Sequence, residues 1–105
     1  MYDEVTQAFA QCVLYKLNKN RAKGKWETGD LAHYFQKLRE EIDELEDEVR
    51  RAMIGQSDNL TELVLESSDV AAYALIIAAV ACREMNTTLE KVSEDLHQMQ
   101  SKAVA

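Results

Sequence analysis

The side chains in this sequence best able to do chemistry are carboxylates. In the segment REEIDELEDEVRR, seven of the nine residues from Glu40 to Glu48 are acidic. Most runs of this kind are simply a solvated helix face, so geometry has to show which members could do more. With Ile42 as the centre of a buried stripe, a step of about 100° per residue puts Glu41, Glu44 and Glu48 on one flank. Glu40, Asp43 and Asp47 fall on the other. Glu41 and Glu44 are an i,i+3 pair, neighbours at about 5–6 Å between Cβ atoms. Lys37 precedes Glu41 by one turn on the same flank.

A second acidic group follows. Glu62, Glu66, Asp69 and Tyr73 are spaced i, i+4, i+7 and i+11 and form one helical stripe. Glu66 and Asp69 stand at the edge of a 13-residue apolar run, Val70 to Cys82. An ionised carboxylate removed from water without a partner costs several kcal/mol, roughly, so such groups pair with cations or bind metal. Pairing with Lys37 or Arg83, or a place on an exposed strip, is the plainer reading. The two acidic pairs together favour a stronger one. Glu41-x-x-Glu44 and Glu66-x-x-Asp69 can face each other across two antiparallel helices, and four converging carboxylates repel unless a cation sits among them. An all-oxygen ligand set suits Mg²⁺ or Mn²⁺, hard ions that also bind phosphate oxygens. A helical di-iron centre needs Glu-x-x-His from each of two helices; this chain has one, Glu94 to His97, and its other histidine is His33. Two cysteines and two histidines so scattered lack the spacing of a structural zinc site.

The elements that must position these groups read as helices. The chain has no proline and three glycines, few breaks for a many-turned β fold. Residues 3–17 place Val5, Phe9, Cys12, Val13 and Lys16 at helical spacing. The segment NKNRAKGKWETGD, 18–30, has no apolar period and reads as a basic loop. Asp30 is a good N-cap for a second helix, which ends near Gly55 with Arg50 and Arg51 at its negative end. Its Leu31, Phe35, Leu38, Ile42, Leu45, Val49 and Ala52 recur in alternating steps of four and three, a heptad-like stripe that packs along a partner helix. A third helix spans about 59–84 and is apolar all round from Val70, hence buried on most sides. A fourth spans about 88–102 with the stripe Leu89, Val92, Leu96, Met99 and Ala103, and Thr87-Thr88-Leu89-Glu90 fits a capping box. The expected fold is an all-α, four-helix bundle-type protomer, whose stripes bury better in a homodimer or homotetramer.

Composition bounds the function. A length of 105 residues means one domain. Nineteen acidic against twelve basic side chains give a net charge of −7, which argues against a partner made of nucleic acid, since phosphates call for a basic face. Cys12 and Cys82 each lie in an apolar run and read as reduced, buried thiols. The longest apolar run is shorter than the ~20 residues of a membrane span, and no signal peptide opens the chain. The expectation is a soluble, cytoplasmic protein.

The arrangement of these motifs resembles the MazG-like all-α nucleoside triphosphate pyrophosphohydrolases. The family pattern is Glu-x-x-Glu, a variable spacer, then Glu-x-x-Asp with an apolar continuation. Here it is met by Glu41, Glu44, Glu66 and Asp69 within KLREEIDELEDEV and ELVLESSDVAAYALIIA, and the preceding KGKWETGDLAHYFQKL is similar to phage- or cassette-borne members. The resemblance covers roughly residues 14–85. It implies cleavage of a (deoxy)nucleoside triphosphate between its α and β phosphates, giving monophosphate and pyrophosphate, as housekeeping of the nucleotide pool. It implies Mg²⁺, with Mn²⁺ as a substitute, held by the four carboxylates, one of which, such as Glu44, would instead handle the water. Lys16, Lys23, Lys25 and Lys37 are the nearby cations for phosphate. The loop carrying Lys23 and Lys25 either folds over the triphosphate or is a solvated linker. Trp26 either stacks on the base or covers the bundle end, and Tyr73 either fills core or touches the sugar.

One departure stands out. Some family members carry phosphate-binding Lys and Arg in the last helix, where this chain has Asp95; Lys91, Lys102 or a neighbouring subunit would have to substitute. Two alternatives stay beside the main reading. One is the related phosphoribosyl-ATP pyrophosphohydrolase activity, which the Trp-bearing loop and the missing C-terminal cations disfavour. The other is a non-catalytic helical dimerisation or regulatory module whose acidic stripe docks a basic partner.

Overall fold

A computed structural model describes residues 2–21, 29–55 and 60–104. They form four helices: α1 Tyr2–Arg21, α2 Leu31–Met53, α3 Leu60–Glu84 and α4 Leu89–Val104. No strand occurs among the described residues, so the all-α expectation holds. The first helix continues to Arg21, which takes four residues from the expected 18–30 loop.

Local chemistry fixes the helix ends. Asp30 is extended (φ −99°, ψ 173°), and its side chain accepts a hydrogen bond from the His33 backbone N–H at 2.8 Å. It satisfies one of the donors that every helix start leaves open. At the other end of α2, Gly55 takes φ +73°, where a side chain would be strained. Between α3 and α4, Asn86 takes the left-handed conformation at φ 56°. Thr87 N–H donates to the Cys82 carbonyl at 2.8 Å and Asn86 N–H to that of Arg83 at 3.1 Å, a Schellman closure with Asn in the usual glycine position. The expected box starting at Thr87 is not formed: Thr88 is the cap, its hydroxyl accepting from Lys91 N–H at 3.1 Å. The third position therefore holds a lysine, which cannot return the hydrogen bond that a glutamate would.

Helix α3 is the central element, packed against both α1 and α2, while α4 meets it sparingly. Tyr34, Ile76 and Val80 form the buried cluster, joined by the partly buried Leu17, Leu31, Tyr73 and Ile77. Early α2 thus lies against late α3, and the two helices run antiparallel. The Tyr34 hydroxyl accepts from the Gly29 N–H at 3.2 Å, and a methyl at Gly29 would stand 2.5 Å from the Tyr34 ring. That close approach ties the entry of α2 to the core. Cys12 and Cys82 are free thiols, half-buried.

Three expectations about burial are corrected. Ile42 is not the centre of the buried stripe of α2: it is 44% exposed, with Phe35 at 54% and Val49 at 39%. The side facing α3 carries Tyr34, Leu38, Glu41, Leu45 and Glu48 instead. The heptad-like stripe is split, its Leu31, Leu38 and Leu45 turned inward and the alternate set outward. The apolar run of α3 is not buried all round, because Ala74 and Leu75 are exposed. Most of the α4 stripe stays outside the core: Val92, Leu96 and Met99 are exposed, and Leu89 is half-buried. By length and apolar composition α3 could cross a bilayer, a property that its 13-residue uninterrupted run does not reveal. In this fold α1 and α2 cover its buried side, and that side carries Glu66 and Asp69.

The small core makes each buried aliphatic side chain matter. Ile76 is 1% exposed, so Ile76→Ala should cost about 2–5 kcal/mol in urea unfolding. A loss below 1 kcal/mol, roughly the cost of a surface change, would mean this cluster is not the core.

Candidate metal centre

Helix α2 supplies Glu41 and Glu44, α3 supplies Glu66 and Asp69, and α1 adds Lys16. The i,i+3 spacing on each of the first two helices stacks its pair on one face, and the antiparallel packing brings the pairs together. Glu41, Glu66 and Asp69 each place a carboxylate oxygen within 4.8 Å of the other two. Asp69 is buried, and Glu41 and Glu66 are half-buried. Glu44 is more exposed and stands at the margin of the cluster, close enough for its charge to act on both glutamates.

The electrostatics are those of charges with too little water. Burial, first, and then the neighbouring Asp69 and Glu44 push the Glu41 carboxyl up to about 7. Burial also raises Glu66, with Glu44 and Asp69 adding to the shift and Lys16 opposing it. Burial raises the Tyr73 hydroxyl too, with Glu41 and Asp69 next in weight. Glu41 Oε2 and Glu66 Oε2 are buried without a hydrogen-bond partner. Either glutamate can share a hydrogen bond with Glu44 only when a proton sits between them, which is why contact with Glu44 raises both. Lys16 Nζ lies 3.1 Å from Asp69 Oδ2, with both side chains 12% exposed.

A divalent cation fits these groups. The donors are all hard oxygens, two of them lack a donor of their own, and their spread of at most 4.8 Å is near the roughly 4.2 Å between opposite oxygens around Mg²⁺. Glu41, Glu66 and Asp69 would be the inner holders and Glu44 the marginal one.

The structure separates the remaining candidates. Lys37 is outside the cluster: its Nζ lies 3.5 Å from Glu40 Oε2, and both side chains are about half exposed. It keeps the Glu41 side of α2, one turn earlier and half-buried, but its ammonium is taken by Glu40 rather than by the cluster. Arg83 donates to the Gly29 carbonyl at 3.4 Å. Tyr73 joins the core cluster, yet its hydroxyl feels the charges of Glu41 and Asp69, so packing and proximity to the acids are both realised. Glu48 pairs with Arg51 at 2.6 Å, and Glu62 is exposed. On α4, Lys91 pairs with Asp95 at 3.1 Å, while Glu94 and His97 are exposed. Trp26, Lys23 and Lys25 lie outside the described residues.

Sequence reasoning named Lys16 as a cation but not its seat beside Asp69. The signal was present, since Lys16 continues the apolar face of α1 and a lysine on such a face needs a counter-charge. Ser68 was missed altogether. It is 0% exposed, and its hydroxyl is spent on the Val64 carbonyl at 2.8 Å. No family model, curated protein or solved structure matches the chain.

The raised Glu41 carboxyl gives a signed prediction. Folded Glu41 holds its proton more tightly than unfolded Glu41, so its contribution to stability is complete below its ordinary value of 4.5 and disappears as the pH rises through about 7. In chelator, the melting temperature should therefore fall between these limits, and Glu41→Gln should flatten that fall. Added Mg²⁺ should stabilise the parent more at the upper end of the range than at the lower. A parent and variant with superimposable pH profiles would contradict the assignment.

Proposed function

We propose that this protein is a Mg²⁺-dependent nucleoside triphosphate pyrophosphohydrolase, cleaving the α–β anhydride to give monophosphate and pyrophosphate. The observation that carries this reading is the pair of buried, donor-less carboxylate oxygens, Glu41 Oε2 and Glu66 Oε2, supplied by two helices to one cluster. A cluster evolved only as a solvated face would not bury oxygens in this state. The likeness of the acidic motifs to the MazG-like pattern supports the same reading and supplies its substrate class.

When bound, magnesium would supply charge for the polyphosphate oxygens and acidify a coordinated water. The chain's own residues divide the remaining work. Glu41, Glu66 and Asp69 would hold the cation from two packed helices that bring their carboxylates together in the absence of any ligand. Glu44, at the margin and in better contact with solvent, is placed to take a proton from the attacking water. Lys16 and the Tyr73 hydroxyl border the carboxylates and would limit how a phosphate can enter. Mn²⁺ would substitute as a second hard ion.

Self-association belongs to this proposal. Phe35, Ile42 and Val49 form an outward apolar row on α2, and Val92, Leu96 and Met99 form another on α4. Exposed rows on two amphipathic helices call for a partner surface, and a second copy would cover them in a homodimer or homotetramer. A non-catalytic docking module would use the same rows, but it gives no reason for carboxylates to be desolvated away from them.

Two experiments test the proposal. Incubated with a panel of nucleoside and deoxynucleoside triphosphates and Mg²⁺, the protein should release pyrophosphate, and chelator should stop it. Glu66→Gln and Asp69→Asn should each lower turnover by at least about 100-fold while helical circular dichroism is retained. Full activity in either variant would refute the site. In light scattering coupled to gel filtration, Ile42→Glu should shift the protein to a smaller species; an unchanged mass would remove the α2 row from the interface.

A further inference from the structure

The ammonium of Lys16 sits where an acidic metal site would least be expected to accept one. Lys16 is on α1, which carries neither acidic motif but packs against α3, and its Nζ lies 3.1 Å from Asp69 Oδ2 with 12% of the side chain exposed. Lysine is rarely so covered unless paired. Its charge already counts within the cluster, because it opposes the effect of the other carboxylates on Glu66. Asp69 is also one of the three residues whose oxygens converge. The same carboxylate is thus claimed by an internal monovalent cation and by any divalent ion that enters.

We propose that Lys16 is a built-in counter-ion, which partly neutralises the cluster when no metal is present and competes with the divalent ion for Asp69. The inference rests on the metal-site reading given above. An ammonium and a divalent ion drawn to one carboxylate repel each other, and close packing in a partly desolvated pocket strengthens that repulsion. Loading the site therefore requires Lys16 to give up Asp69. Four methylene groups let its charge swing aside without moving α1. The metal-free protein gains stability from the ion pair, and the threshold for metal binding rises by the same coupling.

The test uses the full chain and Mn²⁺ itself as the probe, followed by electron paramagnetic resonance, with thermal melting in parallel. Lys16→Met, which keeps the aliphatic stem, should bind Mn²⁺ about tenfold more tightly than the parent. Its metal-free melting temperature should fall, and the rise on adding Mn²⁺ should grow. Lys16→Gln, milder because its amide can still donate to Asp69, should shift both readouts the same way and serves if the methionine variant does not fold without metal. Lys16→Arg, which retains the charge, should behave like the parent. If the parent binds Mn²⁺ and loses it in Glu66→Gln, yet neutral residues at 16 leave affinity unchanged or weaker, the competition is refuted while the carboxylate site stands. If the parent does not bind Mn²⁺, or Glu66→Gln binds it equally well, both readings fall together.

Discussion

Uncompensated negative charge is the constraint from which the rest of this structure follows. Carboxylates from α2 and α3 are brought within 4.8 Å of one another where helices have removed much of the water. Burial and mutual repulsion both work against their ionisation, and Glu41 shows the result most clearly. A fold that only needed to be stable would place leucine there, since a buried polar cluster generally costs more than an apolar core of the same shape. The helices accept this local instability, and Lys16 only partly offsets it. Such a concentration of unfavourable charge is typical of positions kept for binding or catalysis.

The scaffold around the cluster is correspondingly economical. Three helices meet the acids, and a handful of side chains about Tyr34, Ile76 and Val80 holds α2 and α3 in antiparallel register. That register determines whether Glu41 meets Asp69 at all. One turn of slip along either helix would carry the pairs past each other by about 5.4 Å. The aliphatic cluster and the acidic one therefore lie along the same helix pair and depend on the same alignment.

Much of this was legible in the sequence. The i,i+3 acidic pairs, the cap at Asp30 and the stop near Gly55 are local features, and local features survive into the fold. What failed was the rotation of α2. A heptad-like stripe has one centre when it serves one neighbour, but here Leu31, Leu38 and Leu45 face α3 while Phe35, Ile42 and Val49 face outward. Periodicity cannot divide a stripe between two sides. The same limit hid the solvation of α4, whose pattern is amphipathic whether or not anything covers it. Lys37 keeps its expected flank but pairs locally with Glu40, a choice of partner that spacing cannot make. Lys16 was visible as an anomaly on an apolar face, yet its partner belongs to another helix, and no spacing rule within α1 could name it.

Ser68 has a quieter consequence. It lies between Glu66 and Asp69 in sequence, is wholly enclosed, and has its hydroxyl committed to its own helix. Its enclosure leaves no room for a longer side chain just where the acids are mounted. A bulkier residue at 68 would wedge the packed helices apart and shift both carboxylates while leaving the acids themselves unchanged.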